Sequence, residues 1–195
     1  MTGKRATPEL VLVRHGETDW SLSRRHSGRT DLHLTDRGQR QAEAAGRALA
    51  GREFSLVLTS PLSRAAETAR LAGFDGQVQV RDDLLEWDYG DFEGRTSAEI
   101  RAERPGWSLW DDGVSGGETI AEVGDRVDRV IAEVRTAEGS SLVFAHGHVL
   151  RVLTARWLGL EPSAGRLFAL DPATVCVLGY EHDLSEPVIR RWNQV

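Results

Sequence analysis

The sequence predicts an α/β protein built as a three-layer sandwich, with a mainly parallel central sheet and helices on both faces. Short, nearly continuous apolar runs recur along the chain, for example at residues 9–13 and 55–59, and such runs are typical of strands buried on both faces. Segments with helical spacing of apolar residues follow them. Because strands alternate with helices, parallel pairing through helical crossovers is the favoured arrangement.

The first half of the chain alternates between the two kinds of pattern. Residues 35–50 are rich in Ala, Gln, Arg and Glu at helical spacing, and Thr35 or Asp36 suits the N-cap position. The predicted elements are a strand at 9–13, a helix at 35–50, a strand at 55–59, a helix that stops near Gly73 and a short strand at 78–80.

The second half continues the alternation. Residues 118–137 carry apolar residues on one stripe, which predicts an amphipathic helix. A buried strand at 140–145 runs into the sequence HGH and then into another helix. The alternating segments at about 173–181 and 188–192 have the pattern of edge strands.

One stretch departs from this regular order. Residues 84–117 contain three of the six tryptophans, several glycines and many acids, with some helix predicted around 97–104. Long excursions of this kind often wall an active site. We therefore expect residues 1–195 to form one domain, with a long insertion at about 84–117 beside the site.

Composition narrows the possible partners and the compartment. The chain has 195 residues, a formal net charge of -6 and one cysteine, Cys176. Its acidity argues against nucleic acid and anionic membranes as partners, and a lone cysteine gives no intramolecular disulfide. The first apolar run is too short for a signal peptide or a membrane span. These features predict a cytoplasmic protein; a homo-oligomer remains possible.

Basic and imidazole side chains follow three of the predicted strands. Arg14 and His15 follow the first, Arg64 lies in the helix after the second, and His146 and His148 follow the strand at 140–145. Ligands of parallel sheets bind at the carboxyl ends of strands, so these side chains are expected to meet there. The planar guanidinium groups of arginine and the N–H groups of a helix N-terminus together suit a tetrahedral dianion such as phosphate.

A nucleophile and an acid complete the predicted chemistry. An imidazole at a rigid strand end, followed by a glycine, can attack phosphorus, which makes His15 the candidate nucleophile. The leaving oxygen then needs a proton. Glu86 is the candidate donor because the neighbouring Leu84, Leu85 and Trp87 favour a protonated carboxyl, although nearby arginines oppose this.

Four ordered motifs, LVRHGETDW, TSPLSRAAETA, LLEWDYGDFEG and FAHGH, resemble the signature of the histidine phosphatase superfamily, the phosphoglycerate-mutase-like proteins. The resemblance covers nearly the whole chain. It implies that His15 is the nucleophile and Glu86 the proton donor, and that Arg14, Arg64 and His146 bind the phosphoryl group. Within the family, the segments HSGRTD and EWDYGDFEG resemble those of small phosphatases that act on sugar phosphates and of broad-specificity acid phosphatases.

The chain departs from the family pattern in two ways. An asparagine usually stands where this chain has Ser21, whose shorter hydroxyl is expected to donate to phosphate instead. The extra segment of the family's mutases has no equivalent here, which favours hydrolysis. A phosphomonoesterase is therefore predicted; a phosphoglycerate mutase is the alternative, and a non-catalytic phospholigand-binding protein is a weaker one.

Several positions stay open at this stage. Arg24, His26, Gly28 and His148 are possible substrate-binding residues, but each of the three charged or imidazole side chains is also compatible with a plain surface or capping role. The pair His146 and His148 lacks a clear third ligand and stands among positive charges, so no metal and no cofactor are expected.

Overall fold

The computed structural model describes residues 7–194, and these residues form six strands and seven α-helices. The strands are β1 (Leu10–Arg14), β2 (Leu56–Thr59), β3 (Gln79–Val80), β4 (Ser141–Ala145), β5 (Val175–Tyr180) and β6 (Pro187–Gln194). The helices are α1 (Asp19–Leu22), α2 (Asp36–Leu49), α3 (Ser63–Ala69), α4 (Ser97–Glu103), α5 (Leu109–Asp112), α6 (Ile120–Thr136) and α7 (Gly147–Trp157). Residues 1–6, which are part of the N-terminal segment interpreted above, and Val195 lie outside the described residues.

The six strands form one sheet in the order β3-β2-β4-β1-β5-β6. β1 pairs in parallel with β4, and β2 pairs in parallel with both β4 and β3. β5 and β6 add an antiparallel extension. The predicted fold class, a mainly parallel sheet with helices on both faces, is confirmed. Within residues 7–194, no helix combines the length and the apolar character needed to span a membrane.

The prediction that β5 is an edge strand is wrong. β5 lies between β1 and β6, and all six of its residues are buried. β6 is the true edge strand and keeps several exposed positions. The cause is the antiparallel hairpin-like return of β6, which covers the outer edge of β5.

Alternate residues of the central strands point to opposite layers. Leu10 and Leu12 of β1 belong to a cluster with side chains of α6 and α7, whereas Val11 and Val13 pack with side chains of α2 and α3. This alternation follows from the two-residue period of a strand. Because both faces are covered, each central strand reads as a continuous apolar run.

Helix ends follow local signals in the sequence. Thr35 caps α2 by accepting a hydrogen bond from the N–H of Gly38, as predicted. α3 continues into a turn over Arg70–Phe74, in which Gly73 adopts a φ of 93°. Only glycine adopts this left-handed conformation cheaply, so the helix stops where the sequence indicated.

Residues 84–117 fold as short turns, α4 and α5 rather than as regular strands. Trp87 and Trp107 are buried, and the ring of Trp87 meets that of Trp110 edge-on with a centroid distance of 5.8 Å. α4 confirms the helix predicted around 97–104. The tryptophans therefore join this segment to the core cluster that the sheet forms with α6 and α7.

Candidate active site

Strand register brings the predicted residues together at one edge of the sheet. Arg14 pairs with Ala145 at the carboxyl ends of β1 and β4, so the following His15 and His146 become neighbours. Their ring centroids lie 5.1 Å apart. A cavity of about 370 Å³ opens above this point and is lined by residues that include Arg14, His15 and Glu86.

His15 is held in one tautomer. Its Nδ1 lies 2.7 Å from the carbonyl oxygen of Gly16, and since a carbonyl only accepts, Nδ1 carries the proton. Burial, together with Arg14 and Arg64, lowers the pKa of His15 well below its usual value. No described residue hydrogen-bonds Nε2. The imidazole is therefore neutral, with its Nε2 lone pair free to attack an electrophile in the cavity.

Arg14 carries an unused donor. One terminal nitrogen of its guanidinium donates to the carbonyl of Leu170, but the buried Nε has no hydrogen-bond partner among the described residues. Burial is the main cause of a lowered pKa for this arginine. A buried charged donor without a partner is costly, so this atom indicates a site for an anion beside His15.

The carboxylate of Glu86 lies at the N-terminus of α7. Its Oε1 accepts hydrogen bonds from the N–H groups of Trp87 and Val149, both at 2.9 Å, and its Oε2 accepts from the N–H of His148 at 3.0 Å. Glu86 is 4 % exposed and lines the cavity. The apolar setting expected from Leu84 and Leu85 is thus only part of its surroundings. Three amides fix where the carboxyl group points.

Arg64 and His146 lie beneath the cavity and do not line it. Nε of Arg64 donates to Nδ1 of His146 at 3.1 Å, and Nε2 of His146 therefore donates to the hydroxyl of Ser60 at 2.7 Å. Both residues are fully buried. The other nitrogens of Arg64 donate to the carbonyls of Ser27, Gly28 and Thr30. Protein groups occupy both nitrogens of His146, so its direct contact with phosphate stays a prediction.

Two other predicted contacts look different in the structure. Ser21 lines the cavity, but its hydroxyl donates to the carbonyl of Thr18 and accepts from the N–H of Thr18 in the capping box of α1. Its proton is not free for a phosphate in this arrangement. Gly28 does not line the cavity. Its N–H donates to Glu93, and an added Cβ would lie 2.6 Å from that side chain and from the Trp87 carbonyl. Close packing therefore explains this glycine.

The remaining predicted positions all line the cavity. Arg24 is exposed at its mouth, with a left-handed φ of 57°. Nε2 of His26 lies 3.3 Å from the hydroxyl of Ser97, and burial lowers the pKa of His26 to about 4, with a smaller contribution from Arg101. His148 is half-buried, and burial first and Arg151 second lower its pKa well below the usual value.

The structure adds cavity residues that the sequence did not reveal. Tyr89 hydrogen-bonds with Nδ1 of His148 at 2.6 Å, and burial raises the pKa of its hydroxyl well above the usual value. Arg151 lies one helical turn after Gly147, and this i, i+4 spacing on a predicted helix was a signal that could have identified it. The added residues include Tyr89, Ser97, Arg151 and Asp171.

The side chains at the site do not assemble a metal-binding set. Across residues 7–194, no group of three or more His, Cys, Asp or Glu side chains has the arrangement of metal ligands. The two nitrogens of His146 bond to protein groups, and Nδ1 of His148 bonds to Tyr89. What the cavity offers instead is arginine, neutral imidazole and one buried carboxyl group.

The chain is similar to a protein-family model, to curated proteins and to a solved structure. The model of the histidine phosphatase superfamily (branch 1) matches residues 10–195. An acid phosphatase of Mycobacterium tuberculosis is 40% identical over 181 residues, covering 91% of this chain and 89% of its own length. Sedoheptulose 1,7-bisphosphatase of Saccharomyces cerevisiae is 37% identical, covering 79% and 69%. A solved structure of a Mycobacterium tuberculosis open reading frame superposes with a TM-score of 0.91 at 38% identity, covering 96% and 98%.

Proposed function

The chain belongs to the histidine phosphatase superfamily, and on that premise we propose that it hydrolyses small phosphomonoesters through a phosphohistidine formed on Nε2 of His15. It is a phosphoric monoester hydrolase, since relatives at 40% and 37% identity are phosphatases. Sugar phosphates and related metabolites are the proposed substrate class. A bisphosphatase among the relatives supports this choice, as does a cavity of about 370 Å³, a size suited to a small metabolite.

The observation that carries the proposal is the state of His15. A nucleophilic imidazole must be neutral, must present one lone pair and must lie beside groups that stabilise phosphoryl oxygens. Gly16 fixes the proton on Nδ1, burial keeps the ring neutral, and Arg14, whose buried Nε has no partner among the described residues, lines the same cavity. All three requirements are met at one point.

The reaction follows in two balanced steps. Nε2 of His15 attacks phosphorus, the ester P–O bond breaks, and protonated Glu86 gives its proton to the leaving oxygen. Water then attacks the phosphohistidine, the P–N bond breaks, and the water proton returns to Glu86. Phosphate leaves, and both side chains regain their starting forms. No metal ion takes part in either step.

The other proposals concern the protein as a whole. We propose a single domain over residues 1–195, with 84–117 as an insertion that contributes Glu86, Tyr89 and Ser97 to the cavity wall. We propose a cytoplasmic location, a small phosphorylated metabolite as partner, no role for nucleic acid, and no cofactor.

Phosphate release in the presence of a chelator tests the proposed function. The panel contains sugar mono- and bisphosphates, phosphoglycerates and p-nitrophenyl phosphate, with His15→Ala assayed beside the wild type. The expected result is chelator-resistant release that is at least about a thousandfold slower in His15→Ala, because a covalent route loses its nucleophile. His182→Ala, a surface histidine distant in the chain, is the matched control and keeps wild-type rates.

Two results would contradict the proposal. The absence of phosphate release from every compound would remove the phosphatase assignment for this chain. Isomer exchange of phosphoglycerate that requires a bisphosphate primer and exceeds phosphate release would favour a mutase instead.

A further inference from the structure

Arg151 is a fixed arginine in the cavity, and it has no acidic partner among residues 7–194. Its Nε donates to the carbonyl of Gly165 at 3.0 Å, and its Nη2 donates to the carbonyl of Arg166 at 3.2 Å. Its guanidinium lies over the ring of Trp110, 4.7 Å from the ring centroid. Two carbonyls and an aromatic face thus hold the group in place, and Nη1 has no protein partner among residues 7–194.

The charge of Arg151 is not neutralised by a neighbouring carboxylate. Within residues 7–194 no aspartate or glutamate oxygen comes within 4.0 Å of it, whereas Arg166 beside it pairs with Asp111 at 2.7 Å. Burial lowers the pKa of Arg151, and the more distant Glu86 and Tyr89 oppose that shift only in part. A half-buried cation without a counter-ion is costly, and a ligand anion offsets that cost.

The position of Arg151 separates it from the group that is transferred. Gly147 and Arg151 line the same cavity from one face of α7, four residues apart. Four residues of helix correspond to about 6 Å along its axis. A Cβ added at Gly147 would lie 3.4 Å from the guanidinium of Arg14 and 3.7 Å from Oε2 of Glu86, so Gly147 marks the reacting end. Arg151 therefore lies about one helical turn farther along α7 than the reacting end.

We infer that Arg151 binds a second anionic group of the substrate, a phosphate or a carboxylate, while Arg14 faces the phosphoryl group that is transferred. The inference rests on the proposed function and defines its substrates more closely as doubly anionic metabolites. Arginine suits this role because its remaining N–H donors point in a fixed direction. Arg25, also in the cavity wall, already pairs with Glu99 at 3.4 Å and is less available.

The test compares substrates that differ in one anionic group. Fructose 1-phosphate and fructose 1,6-bisphosphate differ by a phosphate, and glycerol 3-phosphate and 3-phosphoglycerate differ by a carboxylate. The readout is the ratio of kcat/KM for the doubly anionic member over the singly anionic member of each pair. In the wild type this ratio exceeds one for at least one pair, which also identifies the favoured anion.

Arg151→Gln is expected to lower that ratio by about 10- to 100-fold, mainly through KM, because one charge-assisted contact is lost. Arg151→Lys keeps the charge and is expected to retain part of the ratio. Arg166→Gln removes an adjacent positive charge that does not face the cavity, so it leaves the ratio at the wild-type value.

Three outcomes overturn the inference. The first is a wild-type ratio of one or less for both pairs, which decides the matter even if Arg151→Gln fails to fold. The second is an unchanged ratio in Arg151→Gln, and the third is an equal fall in Arg166→Gln. A wild type that releases no phosphate from any of the four compounds refutes the proposed function instead, so the two failures are distinguishable.

Discussion

Arg64 donates from Nε to Nδ1 of His146, and this contact sets the hydrogen-bonding roles in the floor of the cavity. Because an arginine only donates, His146 accepts at Nδ1 and is neutral, and its Nε2–H then points to Ser60. Burial is the largest cause of the lowered pKa of His146, followed by Arg64. Arg64 also donates to three carbonyls of residues 27–30, so this one side chain connects the carboxyl end of β4 to the loop at 27–30.

Arg64→Lys is expected to destabilise the fold. A lysine ammonium cannot reach one imidazole nitrogen and three carbonyls in the geometry of a guanidinium, so buried polar groups lose their partners. We expect the free energy of unfolding to fall by about 3 kcal/mol in urea denaturation. Arg70→Lys, at an exposed arginine farther along the same helical segment, is the control. A loss below about 1 kcal/mol would show that Arg64 is not needed to hold the loop.

Glu86→Gln is expected to slow turnover in a way that depends on the leaving group. The amide cannot donate the proton of a carboxylic acid, so kcat for a sugar phosphate should fall by about 100- to 10,000-fold. p-Nitrophenolate leaves without protonation, so kcat for p-nitrophenyl phosphate should fall much less.

Glu103→Gln, at an exposed glutamate, serves as the control for this comparison. Equal losses with both substrates in Glu86→Gln would contradict the role of Glu86 as proton donor and point to an effect on folding or binding.

The stability of the protein is expected to fall in mild acid, and His26 provides a defined part of this effect. Its pKa is about 4 in the fold, mainly because of burial, against 6.5 for an ordinary histidine. Between these two values the unfolded chain binds a proton that the folded chain does not. The free energy of unfolding therefore falls as pH drops from about 6.5 towards 4, by up to ~1.4 kcal/mol per pH unit from this group.

Urea denaturation of His26→Gln at a series of pH values measures this contribution. The variant should show a shallower loss of stability than the wild type in that window, while the surface variant His182→Gln should follow the wild type. Identical slopes in all three proteins would show that His26 titrates normally in the fold.

The elements of this fold are largely readable from local sequence. Apolar runs and caps such as Thr35 predict strands and helices to within a residue or two, because burial on both faces leaves little polar alternation. The position of β5 inside the sheet is not readable in this way. Strand order depends on which segments pair with each edge, and β5 lies inside the sheet because it pairs with β1 on one side and with β6 on the other.

In the site, too, some features are predictable from local sequence and others depend on tertiary packing. Arg14, His15 and Glu86 are predictable because strand ends and motifs place them, and all three line one cavity. The bonding of Ser21 to Thr18 is a matter of side-chain rotation within α1, which sequence does not specify. Arg151 was missed because an arginine on a helix is usually solvated, and only the packing of α7 against Trp110 turns it towards the cavity.

The most direct test of the account is to trap the phosphoenzyme during the first turnover. The enzyme is mixed with a phosphorylated sugar, denatured in alkali, digested and mapped by mass spectrometry, with phosphate release followed in the same samples. We predict base-stable, acid-labile phosphate on the peptide that contains His15, and none on His15→Ala. Phosphate release without any labelled peptide, or with the label on another residue, would contradict covalent catalysis by His15.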